Sequence, residues 1–168
     1  APLLPPLLQR HRNSIDVLRE RIESRDGTLF FDVTDQELEG YNKFVPYYLH
    51  PESVYSVGLS KRSFRVKVSV GSNPWAPQPP EVNLAKICER YGGGGHARVG
   101  AISFPVNQHA TAIKASQEIV AELRAAVRSK SKLRPHMIEP WSGGGIRPRE
   151  FAMSQHQVIF SFVLTTIL

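Results

Sequence analysis

Four consecutive glycines at 92–95, followed at once by His96, constrain this chain more than any other feature. Glycine loses more backbone freedom on folding than any other residue, yet it tolerates positive φ and lets another group approach its N–H donors closely. Such a run belongs either to a flexible linker or to a place where the fold demands it. The flanks argue against a linker. Upstream, Leu84, Ile87, Cys88 and Tyr91 recur at i, i+3, i+4 and i+7, which predicts a helix over 83–91 capped by Asn83. Gly92 then supplies the left-handed residue that commonly ends a helix. Downstream, 99–104 reads as a strand that Pro105 stops. The glycines therefore join a short helix to a buried strand. Bare backbone beside His96 and Arg98 suits a phosphate or a nucleotide. The bland alternative is a flexible loop with an incidental histidine.

The remaining pattern is mixed. Leu8, His11, Ile15, Leu18 and Ile22 follow 3-4-3-4 spacing, so 7–24 reads as an amphipathic helix. Asp26-Gly27 marks a turn, and 28–34 a strand. A short helix is expected at 41–49, interrupted by Pro46. A hairpin follows, with arms 54–60 and 64–70 around a turn at 61–63. Its second arm alternates Phe64, Val66, Val68 and Val70 with Arg65, Lys67 and Ser69, so one face packs and the other carries two cations. The cationic face reads as solvated, with a path for an anionic ligand as the alternative. Residues 71–82 hold four prolines and Trp75 and read as a structured loop. A long helix over 107–128, capped by Asn107, presents Ile113, Ser116, Val120, Leu123 and Val127 on one side. Together these elements predict a single α+β or α/β domain with a mixed four- to five-stranded β-sheet packed with helices.

The helix, Gly93-Gly94-Gly95-His96, and then Gly100-Ala101 entering a strand resemble the C-terminal DHH-associated domain of the DHH phosphoesterases. That superfamily includes RecJ-type nucleases, oligoribonucleases, cyclic-dinucleotide phosphodiesterases and exopolyphosphatase-like proteins. The resemblance covers about 27–128, and the run 69–75 looks most like the exopolyphosphatase-like or oligoribonuclease-like branch. It implies a connecting helix at 1–26, a substrate-binding domain at 27–128 and, outside it, an appended or poorly ordered tail at 129–168. It also implies a preceding catalytic domain that holds manganese or magnesium through Asp and His residues. Within this chain it implies no catalytic residue, no metal and no cofactor. His96 would hydrogen-bond a substrate phosphate, helped by backbone N–H groups of Gly93, Gly94 and Gly95. Arg98 and Trp75 complete the expected binding set, Trp75 as a stacking surface for a base. The expected partners are a nucleotide, a short oligonucleotide or another phosphate ligand, the catalytic domain, and a second copy of the chain. One departure stands out: oligoribonuclease-like relatives often carry Ser-Phe-Arg-Ser before the helix, and the matching Ser69-Val70-Gly71-Ser72 has no arginine.

The residues themselves argue against catalysis in this chain. The Asp-His-His triplet that names the family is missing, and hydrolysis with two metal ions needs several carboxylates around them. Asp32 and Asp35 lie at a strand end, where a strand-end and a turn aspartate are the commoner explanation. The six histidines lack metal-ligand spacing, and Cys88 has no second thiol. Cys88 falls on an apolar helix face, as a buried thiol would. The net charge of +6 divides evenly, with +3 on the tail and +3 on 1–128, so steering of anions is implied but not a broad duplex-binding patch. No signal peptide is apparent, the longest apolar stretch falls short of the ~20 residues that span a bilayer, and a reducing cytoplasm is expected. The apolar end at 158–164 must be packed, paired or aggregation-prone. Competing readings are an RNA-binding module like the C-terminal domain of alanyl-tRNA synthetases, a dimerisation module, and an unaided phosphoesterase.

Overall fold

The structure is a computed structural model, and it describes residues 4–36, 41–76 and 82–132, with side chains from residue 8 onward. The elements run α1 (Leu4–Arg21), β1 (Glu23–Arg25), β2 (Thr28–Val33), α2 (Val45–Leu49), β3 (Tyr55–Arg62), β4 (Arg65–Ser72), α3 (Leu84–Glu89), β5 (Gly94–His96), β6 (Val99–Pro105) and α4 (His109–Lys132). They form one mixed sheet of six strands in the order β1-β2-β3-β4-β6-β5. Only β2 and β3 pair in parallel; the other neighbours are antiparallel. The α+β reading holds, with more strands than the four or five expected.

Both additional strands are three residues long and hide in segments assigned otherwise. The predicted 7–24 helix stops at Arg21, and 23–25 pairs with β2 through a two-residue Asp26-Gly27 turn. Asp26 and Gly27 have φ of 49° and 69°, the left-handed pair that a tight hairpin of this hand requires. The glycine run, read as a connecting loop, instead contributes β5, which pairs antiparallel with β6 at the sheet edge.

Other boundaries shift for local reasons. Pro46 does not interrupt a helix: it lies in the first turn of α2, where no backbone donor is needed. The β3–β4 hairpin turns at Ser63-Phe64, with Arg62 opposite Arg65, so Phe64 is exposed at the tip rather than packed. Asn107 does not cap α4; it sits in a 3-10 turn, Val106–Gln108, ahead of that helix. Asn83 does cap α3, accepting from the N–H groups of Ala85 and Lys86. Beyond Lys132, the predicted tail and its apolar end lie outside the described residues.

The two sheet faces are covered unequally. On one face Tyr55, Val57, Leu59, Val66, Val68, Val70, Ile102 and Phe104 pack under α3 and α4, which contribute Leu84, Ile87, Ala112, Ala115, Ile119 and Leu123. Each fully buried aliphatic side chain there is worth roughly 1.5–3 kcal/mol. Ion pairing of Arg90 with Glu122 and the Tyr91–Glu118 bond of 2.8 Å tie α3 to α4. On the other face Leu18, Phe31, Val33 and Val45 form a smaller core beneath α1 and α2. That core covers only the β2 side. Among the described residues, nothing helical covers β4, β6 and β5 on this face.

Candidate functional site

Cross-strand register fixes which residues share the uncovered face, because directly opposed residues on paired strands point the same way. One row runs Ser56, Gly71, Val99, His96 across β3, β4, β6 and β5. The next runs Gly58, Ser69, Ala101, Gly94. A third runs Ser60, Lys67, Ser103, and Arg62 and Arg65 end the β3–β4 ladder beside Pro105. The face is thus floored by small residues, with His96 at one end and cations at the other.

Two adjoining cavities occupy this face. The first, about 210 Å³, is walled by apolar and aromatic groups, among them Phe31, Phe44, Tyr47, Pro74 and Val99, with Arg98 and Lys43 at its margins. The second, about 260 Å³, is lined by Lys43, Ser60, Arg62, Arg65, Lys67 and Ser69. Tyr41, Lys43 and Ser69 belong to both. Tyr47 shares a 2.7 Å hydrogen bond with Ser56, and Tyr41 is hydrogen-bonded to Ser69. Burial pushes the Tyr41 phenol up to about 12 and raises that of Tyr47 as well, so both stay neutral donors under ordinary conditions.

The hairpin that carries His96 is held firmly. The N–H and hydroxyl of Ser72 both donate to the Arg98 carbonyl, at 3.0 and 3.2 Å, and Leu84 N–H donates to the Ala97 carbonyl at 3.0 Å. The Ala97-Arg98 turn is therefore pinned by the end of β4 and the start of α3. His96 and Arg98 are exposed on it, and Arg98 lines the first cavity.

The four glycines serve different needs. Gly92 has φ of 74°, which an L side chain adopts at a cost. A Cβ on Gly93 would meet the Ala101 carbonyl oxygen at 2.3 Å, and one on Gly95, where φ is 153°, would meet that of Val99 at 2.2 Å. These two permit close pairing of β5 with β6. Gly94 is different: a Cβ there meets nothing within 4 Å, and its row lies on the uncovered face. The fold gives no reason for its missing side chain.

Trp75 is 54% exposed and packs edge-on against Phe44, with ring centroids 5.5 Å apart, so it stands at the rim beside a wall of the first cavity. Asn73 fixes this loop. Its amide donates to the Pro51 and Ser53 carbonyls, and its carbonyl accepts from Trp75 N–H.

The aspartates are engaged elsewhere. Asp32 accepts from the N–H and hydroxyl of Thr34, and Asp35 pairs with Arg21 at 2.6 Å, which lowers the Asp35 pKa. Among the described residues, no three His, Cys, Asp or Glu side chains cluster as metal ligands, so this donor set does not fit a divalent ion. Cys88 is buried, and burial raises its pKa.

The structure brings Gly94, His96, Arg98 and Trp75 to one side of the sheet. It adds Lys43, Tyr41, Tyr47 and Ser69, which sequence reasoning missed. Tyr41 and Tyr47 fell inside a predicted helix with no sign of what they face. The readable signal was the polar half of β4, Arg65-Lys67-Ser69-Gly71, where side chains shrink along the strand.

No family model and no curated protein matches this sequence. The fold is similar to that of a pGpG-specific phosphodiesterase, PggH from Vibrio cholerae, at a TM-score of 0.61 and 17% identity, over 75% of this chain and 44% of that one. It is also similar to an exopolyphosphatase-related protein from Bacteroides fragilis, at a TM-score of 0.51 and 13% identity, over 71% of this chain and 36% of that one. At such identities the likeness establishes a shared fold. The chain spans less than half the length of either neighbour. Among the described residues, no helix is long and apolar enough to cross a membrane.

Proposed function

We propose that this domain binds the phosphate of a nucleotide, short oligonucleotide or other phosphate ligand, as the DHH-associated part of a DHH-family phosphoesterase. The observation that carries the reading is the pinned β5–β6 hairpin, which sets exposed His96 and Arg98 at one end of an uncovered, small-residue sheet face. His96 donates to a phosphate oxygen and Arg98 adds a charge-assisted contact. Gly94 leaves room for the ligand, and the N–H groups of an edge strand supply further donors. The names of the two structural neighbours, a phosphodiesterase and an exopolyphosphatase-related protein, agree with a phosphate-bearing substrate. Bond cleavage belongs to a separate catalytic domain, where manganese or magnesium would activate water and stabilise charge at phosphorus.

His96→Ala tests the assignment. Losing one charge-assisted bond should weaken nucleotide binding by about 1.5–3 kcal/mol while thermal unfolding stays where it was. The measurement is a titration of a nucleoside monophosphate and a short oligonucleotide, with melting curves alongside. A well-folded variant that binds as tightly as wild type would refute a phosphate contact at His96. A binding loss that only tracks a lower melting temperature would make the histidine structural.

A further inference from the structure

We propose that the cationic end of the uncovered face, built by Arg65, Lys67, Arg62 and Lys43, is a second phosphate subsite, so that the ligand is an oligonucleotide lying along β4. The inference rests on phosphate binding at the His96 end and extends that site along the strand.

Three observations carry it. First, among the described residues no carboxylate lies within ion-pair distance of Lys43, Arg65 or Lys67, although the other ion pairs of the molecule are made. The Arg65 Nε–H is shut from solvent and finds no hydrogen-bond acceptor in the structure. Cations clustered around a cavity and left unpaired attract an anion. Second, the two ends are joined. The cavities share Tyr41, Lys43 and Ser69, so no wall separates Arg98 from Lys67. Third, the stretch between the ends is apolar and aromatic, with Phe44, Tyr47, Pro74 and Val99 in the walls. Bare phosphate chains gain nothing from such a surface, whereas bases pack and stack on it.

The length follows from strand geometry. Gly71 stands in the His96 row, and Lys67 and Arg65 lie four and six residues along β4. At about 3.3 Å per residue the two ends are roughly 13–20 Å apart. A mononucleotide cannot span that distance. A strand rising about 3.4 Å per stacked nucleotide spans it with roughly four to six nucleotides, and with fewer when unstacked.

The experiment is a binding series on the full chain with oligonucleotides of one to eight residues, repeated with Arg65→Ala/Lys67→Ala, with His96→Ala, and with inorganic polyphosphate of matched charge. The expected result is a tightening of at least tenfold between the dinucleotide and the pentamer in wild type. The double variant should lose that increment, keep dinucleotide affinity within twofold, and show a shallower salt dependence. His96→Ala should weaken all lengths alike. Affinity independent of length, or an unchanged increment in a folded double variant, overturns the second subsite. His96-dependent mononucleotide binding would in that case still stand by itself. Polyphosphate that binds as tightly as the pentamer overturns the oligonucleotide assignment. Absence of binding to every probe overturns this inference and the phosphate reading together. Circular dichroism of each variant separates lost contacts from lost fold, and Arg65→Lys/Lys67→Arg should restore the increment.

Discussion

Gly94 and Gly95 are adjacent and chemically identical, yet alanine should act on them with opposite sign. At Gly95 a Cβ would lie 2.2 Å from the Val99 carbonyl oxygen and 2.6 Å from the Gly100 Cα, where ordinary contact begins at 3.4 Å. Both obstacles are backbone, so relief requires β5 to move away from β6 by about 1 Å, which stretches ladder hydrogen bonds beyond useful length. Two such bonds at about 0.5–1.5 kcal/mol each, with about 1–3 kcal/mol for an L residue held at φ of 153°, give a loss of roughly 2–5 kcal/mol. At Gly94 the space is empty and φ is not positive, so alanine restricts only the unfolded chain and stabilises by about 0.4–1 kcal/mol. Urea denaturation followed by far-ultraviolet circular dichroism reads both changes. With a slope of about 1–3 kcal/mol/M, the Gly95→Ala midpoint should fall by at least about 1 M, and that of Gly94→Ala should hold or rise. The bulkier Gly94→Val should keep the fold and lose phosphate binding. Equal destabilisation by the two alanine variants would refute the assignment of separate duties to these glycines.

Alkaline stability should depend on Tyr41. Its folded-state pKa, about 12 against 10.0 ordinarily, means the unfolded chain sheds the proton first. The contribution is therefore complete below pH 10 and lost as pH rises from 10 towards 12. Tyr41→Phe should flatten that decline in the urea midpoint, and an unchanged slope would contradict it. Asn73→Ala removes three hydrogen bonds of a buried side chain and should cost roughly 2–4 kcal/mol. A loss under 1 kcal/mol would show that the loop does not depend on it. Trp75 emission, measured in a Trp141→Phe background, should shift when an oligonucleotide binds, because the ring flanks a cavity wall through Phe44. A constant spectrum at saturation would remove Trp75 from the ligand's reach.

Periodicity made the large elements legible. Val66, Val68 and Val70 alternate, and they are the buried face of β4; Asn83 before Leu84, Ile87 and Cys88 marks a capped helix, and it is one. The short strands were not legible, because three residues carry no period. Glu23-Ser24-Arg25 enters the sheet through the Asp26-Gly27 turn, and Gly94-Gly95-His96 through pairing with β6, and neither has strand-like side chains. The site was visible in part for a related reason. His96 and Arg98 stand beside a conspicuous motif. Lys43 and Tyr41 join them only through the parallel β2–β3 crossover, a long-range pairing that no local pattern announces.

A polar half of β4 does not by itself imply a ligand. An antiparallel sheet with helices on one side needs polar residues on the other merely to meet water. Serines and threonines would serve that purpose, and so would cations interleaved with carboxylates. This face departs from that minimum in two ways. Its charges have one sign, Lys43, Arg62, Arg65 and Lys67 around one cavity, in a domain whose overall excess is only modest. It also keeps Gly94 without a side chain where space is free, accepting the entropy that glycine loses on folding. Solvation explains neither feature. A polyanion drawn to the cations and seated against the bare strand explains both.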